Sequence, residues 1–273
     1  MVTTENKVVI VTGAASGIGR AAALLFAERG YHVVGVDRDA EGLSKLAADE
    51  SVAAPDGAGP RGEIAVLAGD VATDQTNEAA VKLAVDRFGR LDAAVLNAGI
   101  GGAGPLESDG ALDRFDRILA VNVRGVASGV RAAVPALRAV GGGAIVATSS
   151  VSGLRGDPAT WAYNASKAAV VNLVRGLALD YAVENIRINA IAPGGALTAM
   201  TAAQVAHPTF GPLIASRIPQ QRWSDPREQA EAIWFLASPA ASYINGVTIP
   251  VDGGLSANGG ILLPPAFPGD APH

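Results

Sequence analysis

The chain has 273 residues, 49% of them hydrophobic and 17% charged, with a formal net charge of −5 and no cysteine. That content can bury one large core, and no Pro- or Ser-rich linker divides it, so one domain is expected over residues 1–257, followed by a Pro- and Gly-rich tail at 258–273. The weak negative balance, without long charge blocks, excludes nucleic acid and anionic membranes as natural partners, and the lack of cysteine excludes disulfides, thiolate metal sites and a Cys nucleophile. The N-terminal apolar run is too short for a signal peptide and no stretch approaches the roughly 18 apolar residues of a membrane span, so a cytoplasmic location is expected.

Residues 7–12 (KVVIVT) are β-branched and almost continuously apolar, which predicts a parallel strand covered on both faces. Next come Gly13, Ser16, Gly17, Ile18 and Gly19 in GAASGIG, and then a strong helix former over 20–29. Strand, Gly-rich turn and helix form either a tight βα turn or a site where the backbone approaches a pyrophosphate and the helix-start N–H groups attract its charge. A second strand at 32–37 ends in Asp37, 18 residues beyond Gly19. A carboxylate there accepts from both adenosine ribose hydroxyls and repels a 2′-phosphate, so NAD is expected over NADP, although Arg38 could hold that phosphate. The alternative for Asp37 is a helix-entry acid.

A helix at 41–50, a loop at 51–62 and a third strand at 63–68 follow, with Asp70 and Val71 where an adenine ring would lie. Residues 73–87 are amphipathic, with Thr73 or Asp74 as N-cap. The fourth strand, 91–96, ends in Asn97, Ala98 and Gly99, small residues suited to a backbone lying close to a ligand or a helix. One long helical pattern covers 112–137 and contains Asn122, either a structural hydrogen-bond hub or part of a site. The fifth strand, 143–148, delivers Ser149 and Ser150 to its C-terminal end, where doubly wound sheets bind ligands.

The helix expected at 159–181 carries Tyr163 and Lys167, four residues apart and therefore on one face. A phenol titrates near 10, and bringing it towards neutrality takes roughly 3 to 4 kcal/mol. A cation about 4 Å away supplies only about 1 kcal/mol in water and about 4 at an effective dielectric near 20, so the pair works as a proton-transfer device only when partly buried. A sixth strand at 185–191 closes with Pro193 and Gly194. The segment 195–223 is too long for a plain connection and is either a lid or a subunit contact. Its apolar side chains, with Ser152, Leu154, Trp161 and Met200 as candidate pocket residues, suit an uncharged, fairly apolar substrate. A helix at 226–236 and a seventh strand at 246–251 complete the pattern.

The assembled residues resemble the short-chain dehydrogenase/reductase family from residue 7 to about 257. The resemblance rests on Thr12, Gly13, Gly17, Ile18 and Gly19; on Asn97, Ala98 and Gly99; on Asn122; on Ser150 thirteen residues before Tyr163, with Lys167; and on Pro193, Gly194 and Thr198. It implies an α/β fold, a doubly wound (Rossmann-type) seven-stranded parallel sheet with helices on both faces. It also implies a nicotinamide-dependent oxidoreductase, commonly a homotetramer.

By that resemblance Tyr163 is the general acid/base, Lys167 lowers its pKa and holds the nicotinamide ribose, and Ser150 hydrogen-bonds the substrate oxygen. Asn122 holds a water in a proton relay, and Thr198 meets the nicotinamide carboxamide. Gly13, Ser16, Gly17, Ile18, Gly19, Asp37, Arg38, Asp70, Val71, Asn97, Ala98, Gly99, Pro193, Gly194 and Ala196 complete the expected cofactor contacts. Ala196 departs from the branched apolar residue frequent in the family, and the 51–62 loop is a little long.

The expected reaction is hydride transfer between NAD(H) and a small or cyclic secondary alcohol or ketone, without a metal. Three rival readings use the same residues: a 3-oxoacyl-(acyl-carrier-protein) reductase using NADPH, a non-catalytic cofactor-binding regulator, and a hydrolase with Ser150 as nucleophile. The hydrolase lacks a base, since His32, His207 and His273 are all read as non-catalytic.

Overall fold

Seven strands form one parallel sheet in the order β3-β2-β1-β4-β5-β6-β7: β1 (Val8–Thr12), β2 (His32–Asp37), β3 (Ile64–Ala68), β4 (Ala93–Leu96), β5 (Gly143–Thr148), β6 (Ile186–Pro193) and β7 (Thr248–Val251). The computed structural model describes residues 7–49 and 61–257, so most of the expected 51–62 loop, and the tail at 258–273, lie outside the described residues. The helices are α1 (Gly17–Glu28), α2 (Ala40–Ala47), α3 (Asp74–Phe88), α4 (Ala111–Leu119), α5 (Gly125–Ala139), α6 (Trp161–Tyr181), α7 (Ala202–Ala206), α8 (Phe210–Arg217) and α9 (Pro226–Ala237).

The continuous apolar runs of the strands have the expected cause. Val8 and Ile10 of β1 enter the core beneath α3, α5 and α6 with Ile145, Val170 and Ile188. Val9 and Val11 enter the opposite core beneath α1 and α9 with Phe26, Val146 and Ile233. A parallel sheet covered on both faces leaves no polar face to alternate with. Phe26 lies edge-on to both Trp234 and Tyr31, at centroid distances of 5.0 and 5.3 Å, and seals the α1–α9 side. Arg187, at the start of β6, donates to the Leu236 carbonyl (2.7 Å) and the Ser238 carbonyl (3.1 Å), satisfying acceptors that α9 leaves open. Among the described residues no helix is long and apolar enough to cross a membrane.

Four local expectations are changed or refined. The pattern at 112–137 is not one helix: a π-helical turn, Ala120–Arg124, separates α4 from α5 and contains Asn122. Periodicity does not register one extra residue in a turn. Helix α6 begins at Trp161, because Ala159 is left-handed (φ 61°) and cannot continue the helix. The segment 195–223 holds two short helices, α7 and α8. Thr73, not Asp74, caps α3, accepting from the Thr76 N–H at 3.3 Å.

The sheet order reverses at β1. The chain builds outward through β2 and β3, then returns to place β4 on the other side of β1, opening a crevice at the C-terminal ends of β1 and β4.

Candidate active site

The crevice is floored by the turn between β1 and α1. Gly13 and Gly17 have φ of +70° and +53°, values that favour glycine. A side chain on Gly19 would overlap the Gly13 carbonyl oxygen, so Gly19 is the residue that lets α1 pack onto the strand end. Ser16 does not cap α1 with its side chain and no acid occupies the first helical turn, which leaves the helix-start donors to the cavity. Asp37, at the end of β2, accepts from the Ala15 N–H (3.0 Å) and the Asp39 N–H (3.1 Å), tying its carboxylate to the same turn. Arg38 beside it is exposed and makes no ion pair among the described residues.

A polar lattice fixes the strand ends around this turn. The Thr12 hydroxyl oxygen accepts from the N–H groups of Asn97 (2.9 Å) and Ala98 (3.0 Å). The Asn97 amide donates to the Thr12 carbonyl (3.1 Å) and accepts from the Thr148 hydroxyl (3.1 Å), joining β1, β4 and β5 at one level. Asn122 is fully buried and saturated: its amide donates to the Ile100 carbonyl and to Ser166 Oγ, both at 3.0 Å, and accepts from the Ile100 N–H at 2.8 Å. The hub reading describes its side chain, and both amide hydrogens are committed. Gly99 has no side chain where one would lie 3.2 Å from Lys167 Nζ and 3.3 Å from Asn122 Oδ1.

Ser150, Tyr163 and Lys167 meet across β5 and α6. Ser150 Oγ accepts from the Ser152 N–H (3.1 Å), and the Ser150 hydroxyl acts on the Tyr163 phenol in the direction that favours its ionised form. Lys167 Nζ donates to the Thr148 carbonyl (2.8 Å), while Ser149 Oγ donates to the Lys167 carbonyl (2.8 Å), so α6 is fastened to the end of β5 at two points. The ammonium stands 5.7 Å from the Tyr163 ring centroid. The helical spacing predicts that Lys167 draws the phenol down. In the protein alone the opposite effect is larger: burial pushes Tyr163 up, the Ser150 hydroxyl opposes it, and the Asp157 carboxylate pushes it further up. Burial also lowers Lys167 to about 8.

A cavity of about 320 Å³ runs along the crevice. Gly13, Ser16, Gly17 and Ile18 line it from the Gly turn; Asp37, Arg38, Asp70 and Val71 from the ends of β2 and β3; and Asn97, Ala98 and Gly99 from β4. Ser150, Tyr163 and Lys167 face the same cavity, as do Pro193, Gly194, Ala196, Thr198 and Met200. Gly19, Asn122, Ser152, Leu154 and Trp161 do not line it. Trp161 donates from its indole nitrogen to the Gly104 carbonyl (3.1 Å) and packs on Phe115, and Ser152 donates to Asp157. Gly69, Ile100, Thr148 and Thr201 line the cavity beyond the expected residues, and Ser149 joins Ser150 there as its strand-end position predicts. All but Thr201 follow or end a strand, which is the signal that could have found them.

His32 stacks on Phe88 and accepts from the Glu63 N–H, and His207 accepts from the Phe210 N–H in the 195–223 segment. Neither lines the cavity, and His273 lies outside the described residues.

A doubly wound sheet whose crevice gathers a Gly turn, a strand-end acid and a Ser, Tyr and Lys defines a Rossmann-type protein with a built site. A family model described as enoyl-(acyl carrier protein) reductase matches residues 13–256. The chain is 44% identical over 258 residues to cis-4-hydroxycyclohexanecarboxylate dehydrogenase of Sinomonas cyclohexanicum, covering 92% of this chain and 97% of that one. Among solved structures it is similar to a protein of Beutenbergia cavernae described as an NAD(P)-dependent gluconate 5-dehydrogenase, with NADP bound at low occupancy. That match has a TM-score of 0.84 at 37% identity and covers 94% and 99% of the two chains. It is also similar to 3-ketoacyl-(acyl-carrier-protein) reductase of Brucella melitensis complexed with NADH, with a TM-score of 0.82 at 35% identity, covering 92% and 99%. The chain belongs to the short-chain dehydrogenase/reductase family, and it is an oxidoreductase.

Proposed function

We propose that the chain transfers a hydride between NAD(H) and a small or cyclic, fairly apolar secondary alcohol or ketone, with Tyr163 as general acid/base. The observation that carries this reading is that Ser150, Tyr163 and Lys167 share one cavity with the Gly turn and Asp37. The residues present fit a dinucleotide: Gly13, Gly17 and Gly99 line the cavity with backbone alone, and α1 presents an uncapped start. Gly13, Ser16, Gly17 and Ile18 would hold the pyrophosphate, Asp37 the adenosine ribose, Lys167 the second ribose and Thr198 the carboxamide. The bound nicotinamide supplies the hydride acceptor or donor.

In reduction Tyr163 gives its proton to the carbonyl oxygen, and in oxidation its phenolate takes the proton of the alcohol. Ser150 donates a hydrogen bond to the same oxygen. Burial favours the neutral phenol, so the base form needs positive charge beside it. In this reading the Lys167 ammonium, 5.7 Å from the ring centroid, supplies part of it. With its two remaining donors free of the Thr148 bond, Lys167 is also able to pass the proton on.

The preference for NAD rests on Asp37, whose charge opposes a 2′-phosphate. The substrate class rests on the apolar segment over the crevice, where Met200 is 56% and Leu197 46% exposed. The hydroxycyclohexane ring in the name of the Sinomonas relative supports the same class. A second reading, reduction of a 3-oxoacyl thioester, is supported by the Brucella relative. The same proposal makes the chain a cytoplasmic homo-oligomer, dimer or tetramer, which light scattering after size exclusion reads directly.

Initial rates on a panel of secondary alcohols, ketones and one 3-oxoacyl thioester, each with NAD(H) and NADP(H), test it. NAD(H) with a secondary alcohol or ketone should lead by about tenfold or more in kcat/KM, the discrimination one unfavourable charge contact provides. Equal or better turnover with NADP(H) overturns the cofactor, and the thioester leading overturns the substrate class.

A further inference from the structure

We propose that Asp157 is a positioning residue that holds the turn carrying Ser150 in register with the helix carrying Tyr163 and keeps a negative charge beside the pair. This rests on the reading of Tyr163 as the acid/base.

Asp157 lies between the two reacting side chains in sequence and is bonded to both sides of the gap. Its carboxylate oxygen Oδ2 accepts from the Ser152 hydroxyl at 2.6 Å, and Ser152, only 9% exposed, donates its N–H to Ser150 Oγ at 3.1 Å. The Ser150 hydroxyl hydrogen is not spent on Ser152, and the hydroxyl favours the ionised form of the phenol. The main-chain carbonyl of Asp157 accepts from the Thr160 hydroxyl (3.2 Å) and from Asn164 Nδ2 (2.8 Å), and Asn164 is the residue after Tyr163. One residue thus grips the Ser150 turn with its side chain and the first turn of α6 with its backbone.

The connection is held taut beyond Asp157. Ala159 is left-handed and its carbonyl accepts from the Gly104 N–H (2.9 Å), while the Trp161 indole donates to the Gly104 carbonyl. A non-glycine residue in that region is strained and persists only where its surroundings enforce it.

Few other charges face the phenol. Lys167 on the same helix stands 5.7 Å from the ring, and Arg155 pairs with the outer oxygen of Asp157 at 3.4 Å. Arg114 of α4 is turned to Ser108, and Arg124 of the π turn to Asp74. The crossing segment Ala196–Thr201 carries no charge, and Asp37, Arg38 and Asp70 lie three or more strands away. A carboxylate beside a phenol favours the neutral form, so removing it lowers the pH at which Tyr163 ionises.

The test compares Asp157→Asn, which keeps an acceptor for Ser152 and loses the charge, with Asp157→Ala, which loses both. Phenolate absorbance near 295 nm is followed in a pH titration of each holo protein with NAD⁺, and the Tyr163→Phe titration is subtracted to isolate Tyr163. Asp157→Asn should move the Tyr163 midpoint down by roughly half to one pH unit. Its oxidation of cyclohexanol by NAD⁺ should rise at correspondingly lower pH and retain at least a third of wild-type kcat at the plateau. Asp157→Ala should shift the midpoint similarly but lose about tenfold or more in kcat. A midpoint unchanged or raised in Asp157→Asn overturns the proposal, as does equal kcat in the two variants. Substantial activity in Tyr163→Phe instead overturns the acid/base reading beneath it, so the two failures are distinguishable.

Discussion

Lys167 Nζ donates to the Thr148 carbonyl oxygen at 2.8 Å, and this single bond is what the described residues offer a nearly fully buried ammonium. An ammonium has three donors, so two remain to be satisfied from the cavity side. The site therefore holds a charge that is underserved in the protein alone. Burial accounts for its fall to about 8 from the ordinary 10.5.

Lys167→Met should for that reason stabilise the fold while removing turnover. A lysine that binds its proton more weakly when folded penalises the native state below pH 8, and the penalty disappears as pH rises from 8 to 10.5, where only the unfolded chain still binds the proton. The gap corresponds to about 3 kcal/mol, and loss of the Thr148 partner returns about 1. Urea denaturation should show the variant more stable by about 2 kcal/mol at pH 7, with the advantage gone near pH 10.5. Turnover should fall by about a hundredfold or more. A variant less stable than wild type at pH 7 contradicts the burial argument.

Asn122→Ala should do the reverse to stability. The truncation strands the N–H and carbonyl of Ile100 and removes the donor to Ser166 Oγ, whose own hydrogen stays on the Tyr163 carbonyl. Buried polar groups left without partners cost about 1 to 3 kcal/mol each at most, and relaxation reduces the sum, so a loss of about 2 to 4 kcal/mol is expected in urea denaturation. The loop from Gly99 to Gly102 loses its anchor, so weaker NAD⁺ binding in a fluorescence titration should accompany it.

The sheet and most of the cavity were legible because their signals are local. A strand buried on both faces reads as an apolar run, and strand ends deliver Gly13, Asp37, Asn97 and Ser150 to one edge by topology alone. What was not legible depends on three-dimensional balance. The π turn at Asn122 has no periodic signature, and the left-handed Ala159 no residue type that announces it. Trp161, adjacent in sequence to the site, turns to Gly104 and Phe115 because an indole N–H needs an acceptor when covered. The helical spacing of Tyr163 and Lys167 placed both side chains on the cavity but could not weigh burial against charge.

Asp37→Ser should widen cofactor use. The carboxylate keeps free acceptor capacity beyond its bonds from Ala15 and Asp39, and it opposes any phosphate that Arg38 would otherwise attract. Removing one like charge at close range, with an unpaired guanidinium beside it, should raise kcat/KM for NADP⁺ relative to NAD⁺ by about tenfold or more. The ratio of the two specificity constants is the measurement. An unchanged ratio means that Asp37 does not face the ribose.

Gly19→Ala and Gly99→Ala add the same methyl group to the same crevice and should have different consequences. On Gly19 the methyl collides with the backbone oxygen of Gly13 and lies 2.6 Å from Asn97 Nδ2, so the turn and α1 must separate. Overpacking against backbone costs about 2 to 3 kcal/mol, and the thermal midpoint should fall by several degrees together with NAD⁺ affinity. On Gly99 the methyl meets the tip of Lys167 at 3.2 Å and Asn122 Oδ1 at 3.3 Å, and the lysine end can move by the few tenths of an ångström required. The fold should tolerate that, with a thermal midpoint within about 2 degrees of wild type. Turnover should still fall by about tenfold, because the displaced group is the ammonium beside Tyr163. Differential scanning calorimetry paired with steady-state rates separates the two cases. A Gly99→Ala protein with wild-type kcat would show that the position of Lys167 Nζ is not critical, while a Gly19→Ala protein with wild-type stability would remove the close α1–β1 approach as the reason for that glycine.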